Sequence, residues 1–238
     1  MQKVIYFLFS LSVLCSCNNF NGKRVKGNGN KTSQEKNIGN FTGVSASGSM
    51  DIIVTDGQTH SLRIETDENL IDYLVVKNDN GVVHVYTKEG YNLNPKTGIK
   101  VYATAPSFSR LEVSGSGKIK SNGKIKSDGL RTEVSGSGDI ILDIDTPTIE
   151  ANIAGSGSAT LSGATRDFSA SVSGSGDIKC YNLLSEHTEI DIAGSGNAEV
   201  YASKSLDVDV SGAGDVRYKG NPSVKQNIAG AGSVRKVD

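Results

Sequence analysis

Val113-Ser114-Gly115-Ser116-Gly117 is a phrase that the chain writes seven times. It returns at Val134–Gly138, Ile153–Gly157, Val172–Gly176 and Ile192–Gly196, and the copies at Val210–Gly214 and Ile228–Gly232 carry Ala in place of the middle Ser. From Gly115 to Gly230 the first glycines stand 21, 19, 19, 20, 18 and 18 residues apart. A fixed period near 20 marks a stack of like units, each burying its apolar face against its neighbours.

Aligned on the glycines, the repeats alternate between apolar and polar. Val113, Val134, Ile153, Val172, Ile192, Val210 and Ile228 share one register, and the residues before them are all polar, from Glu112 and Glu133 to Asp209 and Asn227. After the glycines come Ile119, Ile140, Ala159, Ile178, Ala198, Val216 and Val234, followed mostly by polar residues such as Lys120 and Lys179. Period-2 alternation is that of a strand with one face in a core and one in water. The Gly-x-Gly between the two runs suits a bend joining two strands of one coil. The expected fold class is therefore all-β: a repetitive β-solenoid built from ~19-residue units over residues 110–238.

A second alternation lies over the first. The residue following the motif reads Asp139, Ser158, Asp177, Asn197, Asp215, Ser233. With one repeat per coil, Ser or Asn would separate the carboxylates; with two, Asp139, Asp177 and Asp215 would come into register as a cation ladder. A structural Asp bonding its local turn is the favoured reading, since the calcium-binding solenoid signature is not written here. Tyr181, Tyr201 and Tyr218 follow the motif at similar offsets and are candidate ligand-binding residues if they stack on neighbouring coils. Packing aromatics are the plainer reading. Cys180 falls at an inward position and reads as a small buried hydrophobe rather than a reactive thiol.

The first forty residues have a different character. Lys3 precedes an apolar run from Val4 to Leu14, too short for a permanent span. It ends in Leu14-Cys15-Ser16-Cys17, which resembles a bacterial lipobox and makes residues 1–17 a lipoprotein signal with Cys17 as the lipidation site and membrane anchor. Residues 18–37, rich in Asn, Gly and Lys without periodicity, read as a flexible tether. With Cys17 acylated, Cys180 has no partner within the chain, so the fold cannot depend on a disulfide.

Residues 38–109 are expected to form an N-terminal β part of longer antiparallel strands. Val44–Val54 is a degenerate copy of the repeat with Met50 at the second glycine, and strands are expected at 61–65, 73–77, 82–87 and 99–103. Asn80-Gly81 signals a hairpin, residues 67–71 a helical turn, and residues 92–97 a loop. His84 alternates with Val83 and Val85 and should face outward.

The net charge of −1 gives no basic excess for nucleic acid. No metal-ligand spacing surrounds the histidines, no cofactor is implied, and no nucleophile–base pair stands out in sequence order.

Phe41-Thr42-Gly43-Val44, Ser47–Ile52, Leu62–Leu70, Asn80–Val85, Val101–Pro106 and the Val-Ser-Gly-Ser-Gly-Asp-Ile repeats together resemble the head GIN domain family of auto-transporter-adhesin-like lipoproteins of Bacteroidetes. The resemblance covers residues 38–238. It implies an all-β domain with a solenoid-like C-terminal part, in an envelope protein associated with adhesion and without catalytic residues to carry over. The expected function is a cell-envelope, outer-membrane lipoprotein presenting a rigid non-catalytic solenoid to a protein or glycan ligand. Two alternatives stand beside it. One is a polysaccharide-binding or polysaccharide-degrading β-helix protein, disfavoured by the absence of Trp and the scatter of the aromatics. The other is a structural module forming a homo-oligomer through the solenoid's open end, where the last repeat reaches Asp238 without a cap.

Overall fold

The structure is a computed structural model that describes residues 22–238, so the leader and Cys17 lie outside the described residues. Nearly every element is a strand. The chain begins with β1 (Lys23–Lys26), β2 (Lys31–Lys36), β3 (Gly43–Gly48), β4 (Asp51–Asp56) and β5 (Ser61–Asp67). A 3-10 turn over Glu68–Tyr73 leads into β6 (Leu74–Asp79), β7 (Val82–Thr87), β8 (Tyr91–Asn94) and β9 (Lys100–Ala105). The repeats supply β10 (Arg110–Gly115), β11 (Lys118–Lys126), β12 (Leu130–Gly136), β13 (Asp139–Gly155), β14 (Ser158–Gly174) and β15 (Asp177–Leu184). They end with β16 (His187–Gly194), β17 (Asn197–Ala202), β18 (Ser205–Gly212), β19 (Asp215–Gly220), β20 (Ser223–Gly230) and β21 (Ser233–Lys236).

These strands wind into a parallel β-solenoid with one repeat per coil. Its first sheet stacks β3, β10, β12, the second halves of β13 and β14, then β16, β18 and β20, with the motif glycines in register from Gly48 to Gly230. Its second sheet stacks β4, β11, the first halves of β13 and β14, then β15, β17, β19 and β21. The ladder continues through the bend: Ser137 donates its N–H to Gly115 O at 2.8 Å and Asp139 to Gly117 O at 3.1 Å. Unequal repeat lengths are absorbed locally. The two extra residues of the first interval make a bulge between Lys120 and Lys124, and the extra one of the Gly174–Gly194 interval shifts register after Lys179.

The apolar register fills the space between the sheets. Val113, Val134, Ile153, Val172, Ile192 and Val210 are at most 2% exposed. Ile140, Ala159, Ile178, Ala198 and Val216 lie one above another and are equally buried, so a large side chain in one coil meets a small one in the next. The alternation belongs to this stretch alone, since Ile52, Ile119 and Ile140 stack large on large in the same column and are equally buried.

The N-terminal part departs from expectation in three ways. Its strands are short, the longest being the seven residues of β5, whereas β13 and β14 run 17 residues each. Its pairing is mixed: β3–β7 and β4–β9 are parallel, while β6–β7, β5–β9 and β2–β5 are antiparallel. The described part of the expected 18–37 tether, from residue 22, is not simply a tether, since β2 zips onto β5 from Lys31↔Asp67 to Lys36↔Leu62, and β1 pairs with β8, which overlaps the expected 92–97 loop. The side chains of β1 and β2 are largely exposed, so backbone ladders hold them and no apolar alternation announces them.

Asp67 secures that segment. It is fully buried and accepts N–H donors from Gly29 (2.7 Å), Lys96 (2.7 Å) and Thr97 (3.2 Å). The expected features elsewhere are present. Val44–Val54 forms the first coil with Met50 level with Gly117, Asn80 and Gly81 turn the β6–β7 hairpin with positive φ (50° and 83°), and His84 lies between buried Val83 and Val85.

The two ends of the solenoid differ. At the N-terminal end β7 and β9 cover the first coil, and antiparallel β6, β5 and β2 close over them. At the other end, among the described residues, β20 pairs only with β18 and β21 only with β19.

Candidate functional site

Asp139, Asp177 and Asp215 each open a strand of the second sheet just after a glycine bend. They share one column, yet Ser158 stands between the first two and Asn197 between the next. Both intervening residues bond the preceding carboxylate, Ser158 Oγ to Asp139 at 2.7 Å and Asn197 Nδ2 to Asp177 at 3.2 Å, and Ser233 Oγ in the next coil does the same for Asp215 at 2.5 Å. One repeat per coil leaves neighbouring Asp two strand spacings, about 10 Å, apart, too far to share a cation. Among the described residues no group of three or more His, Cys, Asp or Glu is placed to hold a metal. Ser158, the Lys118 ammonium and Lys179 hold the Asp139 carboxyl below its usual range against burial, and Ser233 does the same for Asp215.

The three tyrosines do not converge. Tyr218 pairs in register with Val200, an inward position, and packs against the core. Tyr201 pairs with Lys219, whose Nζ lies 5.4 Å over the ring of Tyr181. Tyr181 and Tyr201 stand seven residues after their glycines and Tyr218 only six. A one-residue change of offset turns a strand side chain to the other face. Burial, with Glu199 adding to it, raises the Tyr181 hydroxyl pKa. Cys180 is fully buried and its thiol is pushed up to about 12 by desolvation.

A more extensive feature lies on the first sheet. A groove of about 670 Å³ crosses several coils along the solenoid axis. Its floor is the backbone of the inward column Leu130, Ile149 and Phe168, whose side chains are at most 4% exposed and turn into the core. One wall is the column Arg131, Glu150, Ser169, Glu189, and the other runs from Thr148 through Asp167 to His187. Arg131 Nη1 contacts Glu150 at 2.9 Å, Arg166 Nε contacts Asp167 at 2.8 Å, and His187 Nδ1 and Ser205 Oγ share a hydrogen bond of 2.7 Å. Four coils at strand spacing make the groove about 14 Å long.

Sequence reading passed over this groove. Its signal was present, because Arg131, Glu150, Ser169 and Glu189 each stand five residues before a motif glycine. The concavity was not, because it depends on small Gly129 and Thr148 at the coil corner. Ser205–His187 is the groove's Ser–His contact, but among the described residues no carboxylate hydrogen-bonds the other imidazole nitrogen, as a triad requires.

Coil geometry and motif column together match known proteins. A family profile described as "Putative auto-transporter adhesin, head GIN domain" matches residues 40–222. The chain belongs to this family. Among solved structures, a protein from Parabacteroides distasonis described as a putative lipid binding protein is 29% identical, with a TM-score of 0.78, covering 91% of this chain and 100% of its own. A putative adhesin from the same species is 25% identical over 90% of this chain and 100% of its own, at a TM-score of 0.73. A putative adhesin from Bacteroides fragilis, 18% identical with 90% and 100% coverage, shares the fold at 0.83. No curated protein matches the chain by sequence. No helix among the described residues is long and apolar enough to cross a membrane.

Proposed function

We propose that this head GIN protein is a cell-envelope lipoprotein, anchored to the outer membrane through Cys17, whose solenoid is a rigid, non-catalytic binding module. The observation that carries the reading is the groove across the first sheet. It sets a double row of donors and acceptors on either side of a backbone floor, repeated at the coil spacing and held on an unbroken ladder. A ligand served by such rows is an extended, hydroxyl-rich polymer, a glycan strand, lying along the axis and bonding Glu150, Asp167, His187 and Glu189 in turn. Rigidity lowers the cost of binding, because no loop has to be ordered. The adhesin descriptions of the relatives agree with a surface role, and Cys17 supplies the attachment.

The test is a glycan-array screen of the purified chain, followed by Asp167→Ala and Glu189→Ala. Both residues sit on the outward face, so the variants should keep the melting temperature and lose binding at least tenfold. Absence of binding to any glycan, or turnover of one, would end this reading. The anchor is tested separately by Cys17→Ala, which should move the chain out of the membrane fraction.

A further inference from the structure

The C-terminal edge of the solenoid carries core residues that nothing among the described residues covers. Val224 and Ile228 are 40% and 36% exposed, yet they occupy the inward columns of Leu206 and Val210, which are 1% exposed. All eight residues of β20 are exposed, and one side of its backbone pairs with no strand among the described residues. Terminal coils of solenoids ordinarily present a polar outer face, and open edges are ordinarily blunted by charge. The N-terminal end of this chain obeys both rules through its antiparallel cover. On the second sheet, Arg235 and Lys236 blunt β21. β20 is the exception, since its lone charge, Lys225, is tied to Asp207 at 2.9 Å.

We propose that β20 is a self-association edge: two copies join end to end through antiparallel β20 strands about a two-fold at Gln226. Pattern and charge select this arrangement. In an antiparallel pair, opposite residues point to the same side, so the cores join only in registers that set Val224, Gln226 and Ile228 against one another. Centring on Gln226 places Val224 opposite the partner's Ile228 and Gln226 opposite its own counterpart, with Lys225 facing the partner's Asn227. A shift by one residue at the two-fold toward the N-terminus sets Lys225 against the partner's Lys225, and the opposite shift sets Gln226 against Ile228.

The carboxylate columns point the same way. Glu189–Asp207 and Asp191–Asp209 run toward the edge and end one coil short of it, where Lys225 and Asn227 take over. Burial and the neighbouring Asp209 and Asp207 already raise the Asp191 pKa. A third row of acids would repel a second copy; a Lys already paired with Asp207 and a neutral Asn at the edge leave no such charge to oppose it.

Opposed Cα atoms in such a pair lie roughly 4.5–5.5 Å apart, within disulfide reach. The full chain carrying Gln226→Cys, mildly oxidised in its own envelope, should therefore run as a covalent dimer on a non-reducing gel. The equivalent Ser33→Cys variant on β2, at the covered end, should stay monomeric. Adding Val224→Asp and Ile228→Asp to Gln226→Cys should abolish the dimer. The proposal is overturned if Gln226→Cys stays monomeric while reacting freely with maleimide, which leaves the edge bare. It is equally overturned if that cysteine is neither cross-linked nor reactive, which means another segment or protein covers the edge. Equal cross-linking of Ser33→Cys would reduce the dimer to random collision and would also overturn it.

Discussion

Ser158 donates its hydroxyl proton to the Asp139 carboxylate at 2.7 Å, reaching from one coil to the coil before it. The bond turns a column that would otherwise stack acid on acid into an alternating one, and it is the largest influence lowering the Asp139 pKa. A carboxylate whose folded pKa is lowered stabilises the fold above its unfolded pKa and loses that contribution as the pH falls through the folded value.

Ser158→Ala should therefore raise the Asp139 pKa and destabilise the chain by about 0.5 kcal/mol at pH 7, a small effect because the pair is partly exposed and water-screened. Below the Asp139 folded pKa the two chains should melt alike. Carboxyl NMR titration checks this, and an unchanged Asp139 midpoint in the variant would refute the assignment.

Gly48 and Gly136 occupy equivalent bends, with φ of +107° and +114°. A Cβ on Gly136 would stand 2.7 Å from Gly115 O in the coil beneath, whereas a Cβ on Gly48 meets nothing within 4 Å. Gly48→Ala should cost only the backbone strain, about 1 kcal/mol, and Gly136→Ala should cost roughly 2 kcal/mol more because the coils must separate. Urea denaturation of both variants measures the difference, and equal losses would show that coil stacking does not demand glycine.

Asp67 is a buried carboxylate whose pKa burial pushes up and the N–H donors of Thr97, Lys96 and Gly29 draw down, with a net lowering. Its stabilisation should be full near neutrality and fade in acid as the pH falls through that lowered value. Asp67→Ala leaves three backbone donors without their acceptor and should destabilise by about 2–4 kcal/mol. Limited proteolysis should then cut first within residues 22–36, where β1 and β2 lose their clasp. Unchanged resistance there would mean the β2–β5 ladder suffices alone.

Cys180 should be unreactive. With its thiol pushed up to about 12 inside a fully buried column, a thiol reagent should label it only after denaturation. Rapid labelling of the native chain would show that coils near Ile178 open.

The sequence alone determined the parts of this protein that repeat. Seven glycine bends at a near-constant interval, with Val134 to Ile228 always two residues before the glycine, leave one way to bury the apolar register: stacking coils in phase. That places the inward column and the outward polar rows without reference to coordinates, whereas the choice of one repeat per coil, and with it Ser158 between Asp139 and Asp177, comes from the strand pairing. Tyr218 takes the plainer of its two readings, a packing aromatic, and its offset of six against seven for Tyr181 and Tyr201 is the signal that separates it. Only the tertiary structure decided what does not repeat. β1 and β2 are held by backbone pairing and by the reach of Asp67 across 38 residues to Gly29, a relation that leaves no pattern in local composition. The groove draws its lining from several coils, with Gly129 and Thr148 at one corner, and Val224 and Ile228 are bare because no coil among the described residues lies beyond them. Alternation specifies which way a side chain points, while concavity, capping and exposure depend on which strands end up as neighbours.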